Sequence, residues 1–342
     1  MKHLLNVLYV VSEESYLGRE GETIYVRVGG VEKTRLPVHT LEAIICFGQM
    51  TVSTPLIGFL GERGVGLTFL SRSGRFLGRV EGPVRGNVHL RHAQILASHN
   101  EEIAGRLACS FVQSKVANSR NILLRGARDH TDRKEAEGLR QAASELAGIG
   151  AELCPERGVD TLRGLEGAAA SIYWRAFDAL IRANREHFFF RQRSRRPPLD
   201  RMNALLSFGY ALLVNDVRSA LEAVGLDPAT GFLHALRPGR PALALDLMEE
   251  LRAWHSDRMA LSLVNLRRLK GDDFDVSPTG VRLHDAPRKL VIEAWQKRKR
   301  EEIMHPFIEQ SIPVGLVPFV QAQLLARHLR GDLDGYPAFH WK

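Results

Sequence analysis

The chain has 342 residues, 44% of them hydrophobic and 25% charged, the balance of a folded globular protein of one or two domains and not of a disordered one. Lys and Arg total 47 against 39 Asp and Glu, and the resulting net charge of +8 favours an anionic partner such as nucleic acid. Cys46, Cys109 and Cys154 are odd in number and far apart, which excludes a disulfide framework or a CxxC metal knuckle and points to a reducing cytoplasm, and no apolar run reaches the roughly 18–20 residues of a membrane span.

The run Leu4–Val11 is broken by Asn6 and followed at once by Glu13 and Glu14, so it reads as a buried first strand and not as a signal segment. Thr23–Val28, Leu41–Cys46 and Val65–Leu70 are further strand-like runs, separated by turns at Gly29-Gly30, Gly61 and Gly64. Thr54–Gly61 reads as one short helix across the sheet. Residues 1–85 carry ten Lys/Arg and eight Asp/Glu, so most of the basic excess lies further on. The segment Glu81–Gly86 breaks both periodicities and sets a boundary. An α+β chain results: a small β-rich N-terminal domain over 1–85 and a larger all-α C-terminal domain over 86–342. Helical periodicity covers 89–126, 134–149, 160–183, 201–224, 240–254, 257–268, 287–303 and 311–331. Asp200 is the expected N-cap of the fourth, behind the stop Pro197-Pro198.

Three segments carry candidate chemistry. In Asp160–Tyr173, Glu166 is surrounded by Ala and Gly and shares a helix face with Ala169, Ala170 and Tyr173. Small neighbours leave room for something bulky to approach; the plainer reading is tight helix packing with Glu166 at the rim. In Gly231–Arg252, His234 precedes a Pro/Gly turn, and Asp246 shares a helix face with Glu249 and equally with Glu250, so spacing cannot choose between them. An imidazole and two or three carboxylates from separate helices make a mixed nitrogen and oxygen site, which suits Mg or Mn better than zinc. Such an ion activates an attacking oxygen and stabilises charge on a phosphodiester. The third segment sets Arg191, Arg193, Arg195 and Arg196 beside three phenylalanines, a density suited to phosphate oxygens. A second basic run, Lys297–Arg300 after Trp295, reads as a solvated helix face.

The strings Leu162-Arg-Gly-Leu-Glu-Gly-Ala-Ala, Arg195-Arg-Pro-Pro-Leu-Asp-Arg-Met-Asn-Ala-Leu-Leu-Ser-Phe-Gly-Tyr210, Gly231-Phe-Leu-His234 and Leu245-Asp-Leu-Met-Glu249 stand in an order and spacing that resemble the CRISPR-associated endonuclease and integrase of spacer acquisition, the Cas-one family. The start Lys2-His-Leu-Leu-Asn-Val-Leu-Tyr-Val and the end Gly335-Tyr-Pro-Ala-Phe-His-Trp-Lys342 resemble its type I-C branch. The resemblance implies a cytoplasmic, Mg- or Mn-dependent homodimer, joined largely through its N-terminal domains, in antiviral defence. It also implies a complex with a small ferredoxin-like Cas-two dimer, acting on double-stranded DNA, a prespacer fragment and the CRISPR repeat. By motif the metal ligands and catalytic residues fall on Glu166, His234 and Glu249, where the family often has Asp in the third place. Asp246 and Tyr173 take auxiliary places near the site, Tyr173 and Tyr210 stack or hydrogen-bond near the DNA, and Arg191, Arg193, Arg195 and Arg196 contact it. The three ligands are then expected to converge on one ion.

Two other functions use the same residues. A DNA-binding scaffold without chemistry explains the arginines but gives two carboxylates and an imidazole no reason to gather. A metal-dependent nuclease of branched DNA in repair overlaps the integrase, because integration run backwards cuts a branched substrate.

Overall fold

A computed structural model of the chain describes residues 6–72, 76–80, 82 and 88–341. Apart from Gly82, the sequence boundary at 81–86 lies outside the described residues. The chain folds into two compact units, one formed from 1–85 and 284–300 and the other from 86–283 and 301–342.

The first unit holds strands β1 (Val7–Val10), β2 (Ser15–Glu20), β3 (Thr23–Val28), β4 (Val31–Pro37), β5 (Ala43–Phe47) and β6 (Met50–Val52), helix α1 (Thr54–Arg63), then β7 (Gly66–Leu70) and β8 (Phe76–Val80). They form two four-stranded sheets, ordered β1-β5-β7-β8 and β4-β3-β2-β6. Strand β5, Ala-Ile-Ile-Cys-Phe, pairs in parallel on both edges and is buried at every residue, as an unbroken apolar run requires. Leu17, Ile24 and Val26 of one sheet, Ile44, Cys46 and Leu67 of the other, and Leu56, Phe59 and Leu60 of α1 make one core. Strands β3 and β4 turn at Gly29-Gly30, both with positive φ, the backbone that a two-residue hairpin demands. The sequence reading omits β2, β4, β6 and β8; in β2 and β4 the adjacent charges Arg19-Glu20 and Glu32-Lys33 interrupt the alternation.

The second unit holds α2 (Val88–His99), α3 (Glu101–Asp129), α4 (Arg133–Glu152), α5 (Gly158–Ala176), α6 (Arg201–Val224), α7 (Ala242–Glu249) and α8 (Arg258–Asn265), then the hairpin β9 (Phe274–Ser277) and β10 (Gly280–Leu283). Helix α9 (Asp285–Arg300) returns to the first unit, whereas the sequence reading groups it with the all-α part. The hairpin β11 (Glu302–Met304) and β12 (Ser311–Pro313) and helix α10 (Val317–Leu329) complete the second unit. The single helix expected over 89–126 is two: Asn100 leaves the helix and its side chain caps α3 by accepting from Ile103 N at 3.0 Å. Asp200 caps α6 as expected, accepting from Asn203 N at 2.6 Å. The four short strands after residue 270 carry Asp275, Arg282 and Glu302 and have no strand signature in sequence.

Long α3 is the spine, packed against α4, α5 and α7. Between α7 and α8 the chain widens into a π-helical turn, Arg252–Asp257. Such turns re-aim side chains that a regular helix would carry elsewhere. Phe177, Phe188, Trp254 and Phe339 are fully buried around these elements. Among the described residues, no helix is long and apolar enough to cross a membrane.

Candidate metal centre

Three helices and one loop, all within the second unit, bring the candidate residues together. The loop before α7 is fixed by the fully buried Asp246. Its Oδ2 accepts from Phe232 N (2.6 Å) and Leu233 N (3.0 Å), and its Oδ1 from His234 N (2.9 Å). Gly231 is required there, since a Cβ would lie 2.7 Å from Asp246 Oδ2 and 2.7 Å from the Ala242 carbonyl carbon. The same Oδ1 lies 2.6 Å from His234 Nδ1, which assigns the ring proton to Nδ1 and leaves Nε2 as a lone-pair donor. Nε2 faces Glu249 Oε1 at 3.9 Å. Arg163 Nε donates to Leu233 O at 2.5 Å and ties the loop to α5, the helix that carries Glu166.

Glu249 is 2% exposed at the last turn of α7. Its Oε1 lies 2.8 Å from Arg252 Nη1 and its Oε2 lies 2.8 Å from Lys115 Nζ. Burial raises the pKa of this carboxyl, but the attraction of Arg252, Lys115 and His234 outweighs it and holds the group at about 2. The Lys115 ammonium also bonds Glu166 Oε1, so one cation joins the two carboxylates. Glu166 stands beside open ground: a Cβ on Gly164 or Gly167 would meet nothing within 4 Å, so this stretch of α5 is not a tight helix contact.

Glu250, the alternative that spacing leaves open, points away. Its Oε1 accepts from Tyr336 OH (2.6 Å), and its Oε2 from Gln321 Nε2 (2.8 Å) and Phe339 N (2.7 Å). Burial among these neutral donors pushes its carboxyl up to about 7.

The expected convergence is incomplete. Among the described residues, no group of three or more His, Cys, Asp and Glu side chains is drawn together closely enough to hold an ion. Lys115 stands between two of the three candidate ligands instead. The donor set itself fits Mg or Mn: two carboxylates already share one cation, and an imidazole nitrogen faces one of them.

Beside Glu166 and Lys115 lies a small cavity of about 40 Å³, also lined by Tyr173, Arg195, Tyr210 and Asp257. Tyr173 OH (3.0 Å) and Tyr210 OH (2.7 Å) donate to the two oxygens of Asp257. Burial raises that carboxyl to about 6 despite both bonds. Tyr173 is 4% exposed, so it serves this carboxyl rather than stacking on DNA. Of the four clustered arginines, Arg191, Arg195 and Arg196 are exposed. Arg193 is turned inward, bonding Asn203 Oδ1 (2.7 Å) and Ser207 Oγ (3.1 Å) below the Tyr210 ring. Sequence reasoning misses Lys115, Arg252 and Asp257. The available signals are a cation among the buried Phe111, Val112, Ser114, Val116 and Asn118 of α3, and an arginine three residues past Glu249.

The sequence matches the family model of CRISPR associated protein Cas1 over residues 8–297. A CRISPR-associated endonuclease Cas1 2 of Rhodospirillum rubrum is 51% identical over 347 residues, covering 100% of both chains. A solved CAS1 protein from Thermotoga maritima matches with a TM-score of 0.77 at 25% identity, covering 95% of this chain and 97% of that one. A chain of a Cas6-RT-Cas1--Cas2 complex shares the fold with a TM-score of 0.84 at 24% identity, over 98% of this chain and 36% of that longer one.

Proposed function

The chain belongs to the CRISPR-associated Cas1 family, and on that premise we propose that it is a divalent-metal-dependent DNA endonuclease and integrase that inserts short foreign fragments into a CRISPR array. The observation that carries this reading is the bridged pair Glu166 and Glu249, with His234 Nε2 at 3.9 Å from Glu249. Hydrophobic core packing gives no reason to gather two carboxylates and an imidazole here, and their mutual repulsion is offset only by bringing in Lys115 and Arg252. Glu166, Glu249 and His234 Nε2 are the residues that would hold Mg or Mn, which when bound supplies Lewis-acid stabilisation of charge on a phosphodiester. Asp246 keeps the Nδ1 proton in place, so that Nε2 presents its lone pair. Arg252 keeps Glu249 ionised from within. Exposed Arg191, Arg195 and Arg196 meet the DNA backbone.

The reaction is transesterification. A fragment's 3′-hydroxyl attacks a phosphodiester at the edge of the repeat, one P–O bond forms as another breaks, and the leaving 3′-oxygen departs in line. No covalent protein–DNA intermediate is needed. The working assembly is two homodimers, each joined through the first units, that clamp one Cas-two dimer. Strand β4, with exposed Val31, ends one sheet and strand β8, with exposed Phe76 and Leu77, ends the other, two edges that a second copy would cover. The test is strand transfer of a 3′-hydroxyl fragment into repeat DNA by the purified chain with its Cas-two partner in Mn. Glu166→Ala, with unchanged circular dichroism, should abolish it. Full transfer by that variant would remove Glu166 from the site, and a chain that binds DNA without cutting or joining it would leave only a scaffold.

A further inference from the structure

Helix α3 presents two consecutive residues in different directions. Ser114 bonds the Phe339 carbonyl of the C-terminal segment, while Lys115 enters the carboxylate site. Asn118, one turn on, also fixes that segment, donating to Phe339 O at 2.8 Å and accepting from Trp341 N at 2.8 Å. The backbone beneath Lys115 is therefore held, and only its side chain is free to move.

The Lys115 side chain is 14% exposed, and its ammonium lies on the carboxylates of both Glu166 and Glu249. Arg252 holds the other oxygen of Glu249. These four groups sum to zero charge. A divalent ion taking Glu166 and Glu249 as ligands needs the lone pairs that Lys115 occupies, and adding it without removing the ammonium would place like charges side by side. A lysine suits an exchangeable position: its charge is compact and its four-carbon stem is flexible, unlike a planar guanidinium fixed by several bonds. The cavity that Lys115 already lines is a place for the ammonium to go: Asp257 and the Tyr173 and Tyr210 hydroxyls stand on its walls, beside Arg195 and Arg252.

We propose that Lys115 is the resident cation of this site: it holds Glu166 and Glu249 together before metal arrives, and a divalent ion enters by displacing its ammonium into the adjoining cavity. This rests on the metal-site reading above. It accounts for two ligand carboxylates being drawn together without a finished ligand cluster. Lys115 then acts through the ligands, as a positioning residue, and sets the metal affinity by competition. The apparent dissociation constant is the intrinsic one divided by the fraction of molecules whose ammonium is out of the site.

The experiment is Mn titration by calorimetry on the full-length protein without DNA, at one pH, for wild type, Lys115→Met, Lys115→Gln and Lys115→Arg. The two neutral variants should bind Mn about tenfold or more tightly than wild type, and Mn should raise their melting temperatures further. Lys115→Arg keeps the charge in a group that leaves less readily and should bind Mn no more tightly than wild type. If a variant fails to fold, wild type still decides: reductive methylation of Lys115, read by mass spectrometry, should increase when Mn is added. Equal or weaker Mn binding by both neutral variants, or methylation that ignores Mn, overturns the proposal while a Mn-dependent wild-type nuclease keeps the metal-site reading. No Mn binding by wild type or any variant overturns both.

Discussion

Glu249 and Glu250 are adjacent in sequence and both buried, at 2% and 0% exposure, yet their surroundings have opposite electrical character. Glu249 meets two cations, Arg252 and Lys115, and its carboxyl is held at about 2. Glu250 meets a phenol, an amide and a backbone N–H, and its carboxyl rises to about 7. Burial raises both; only paired charge reverses it. One residue is a permanent anion held between two cations, and the next is a polar rivet for the C-terminal segment. Glu250 thus lies too deep in a structural network to serve a ligand.

The largest consequence concerns activity. Glu249→Gln removes the anion between Lys115, Arg252 and His234, and DNA nicking should fall by about a hundredfold or more. DNA binding should stay near wild type. Glu250→Gln, one residue away, should keep nicking per folded molecule within about threefold, because it touches none of those groups. Equal losses in gel assays of the two variants would erase the distinction. Asp246→Asn lies between them. It disturbs the proton on His234 Nδ1 rather than a ligand, and should cost about 10–100-fold.

Stability should sort the pair the other way. Glu250→Ala strands the Tyr336 hydroxyl, Gln321 and the Phe339 N–H, and should cost about 3 kcal/mol, read from urea midpoints. The pH dependence adds a sign. Glu250 is raised from 4.5 to about 7 and Asp257 from 3.8 to about 6, so the folded state binds more protons than the unfolded state between those values. The stability they contribute is full below about pH 4 and is lost as pH rises through 6 to 7. Glu249 is lowered, so its contribution is present above pH 4.5 and lost as pH falls toward 2. Relative to Glu250→Gln, wild type should therefore lose up to about 3 kcal/mol between pH 5 and pH 8. A difference that is flat with pH would mean the Glu250 carboxyl is not raised.

Legibility in the sequence follows the same divide. Elements fixed by local rules are visible: β3 by its branched run, α6 by Asp200 behind two prolines, β5 by unbroken apolarity. His234 and Asp246 can be picked out because a turn and a helix face are local patterns. The choice between Glu249 and Glu250 cannot, since it depends on Tyr336 and Gln321 far along the chain. Nor can Lys115 or Asp257, whose partners lie 51 and 84 residues away in Glu166 and Tyr173. Strands β2 and β4 escape because consecutive exposed charges, Arg19-Glu20 and Glu32-Lys33, break a period of two.

The smallest effect separates buried from exposed charge within the arginine cluster. Arg193 spends its guanidinium on Asn203 and Ser207 beneath Tyr210, and burial lowers its pKa. Arg195 and Arg196 are exposed beside it. Phosphate contacts release counterions, and each lost contact flattens the plot of log affinity against log salt by about 0.9 units on duplex DNA. Arg195→Gln and Arg196→Gln should each flatten the slope by up to that amount, with stability changing by no more than about 0.5 kcal/mol. Arg193→Gln should do the reverse. It empties a buried, hydrogen-bonded position and should cost about 2 kcal/mol, while the slope stays at the wild-type value because no phosphate reaches that guanidinium. Anisotropy titrations at four salt concentrations, beside urea melts, resolve the two axes. A slope lost with Arg193 but not with Arg195 or Arg196 would mean that the loop opens on DNA and delivers its inner arginine, and the exposed pair would then face a protein partner.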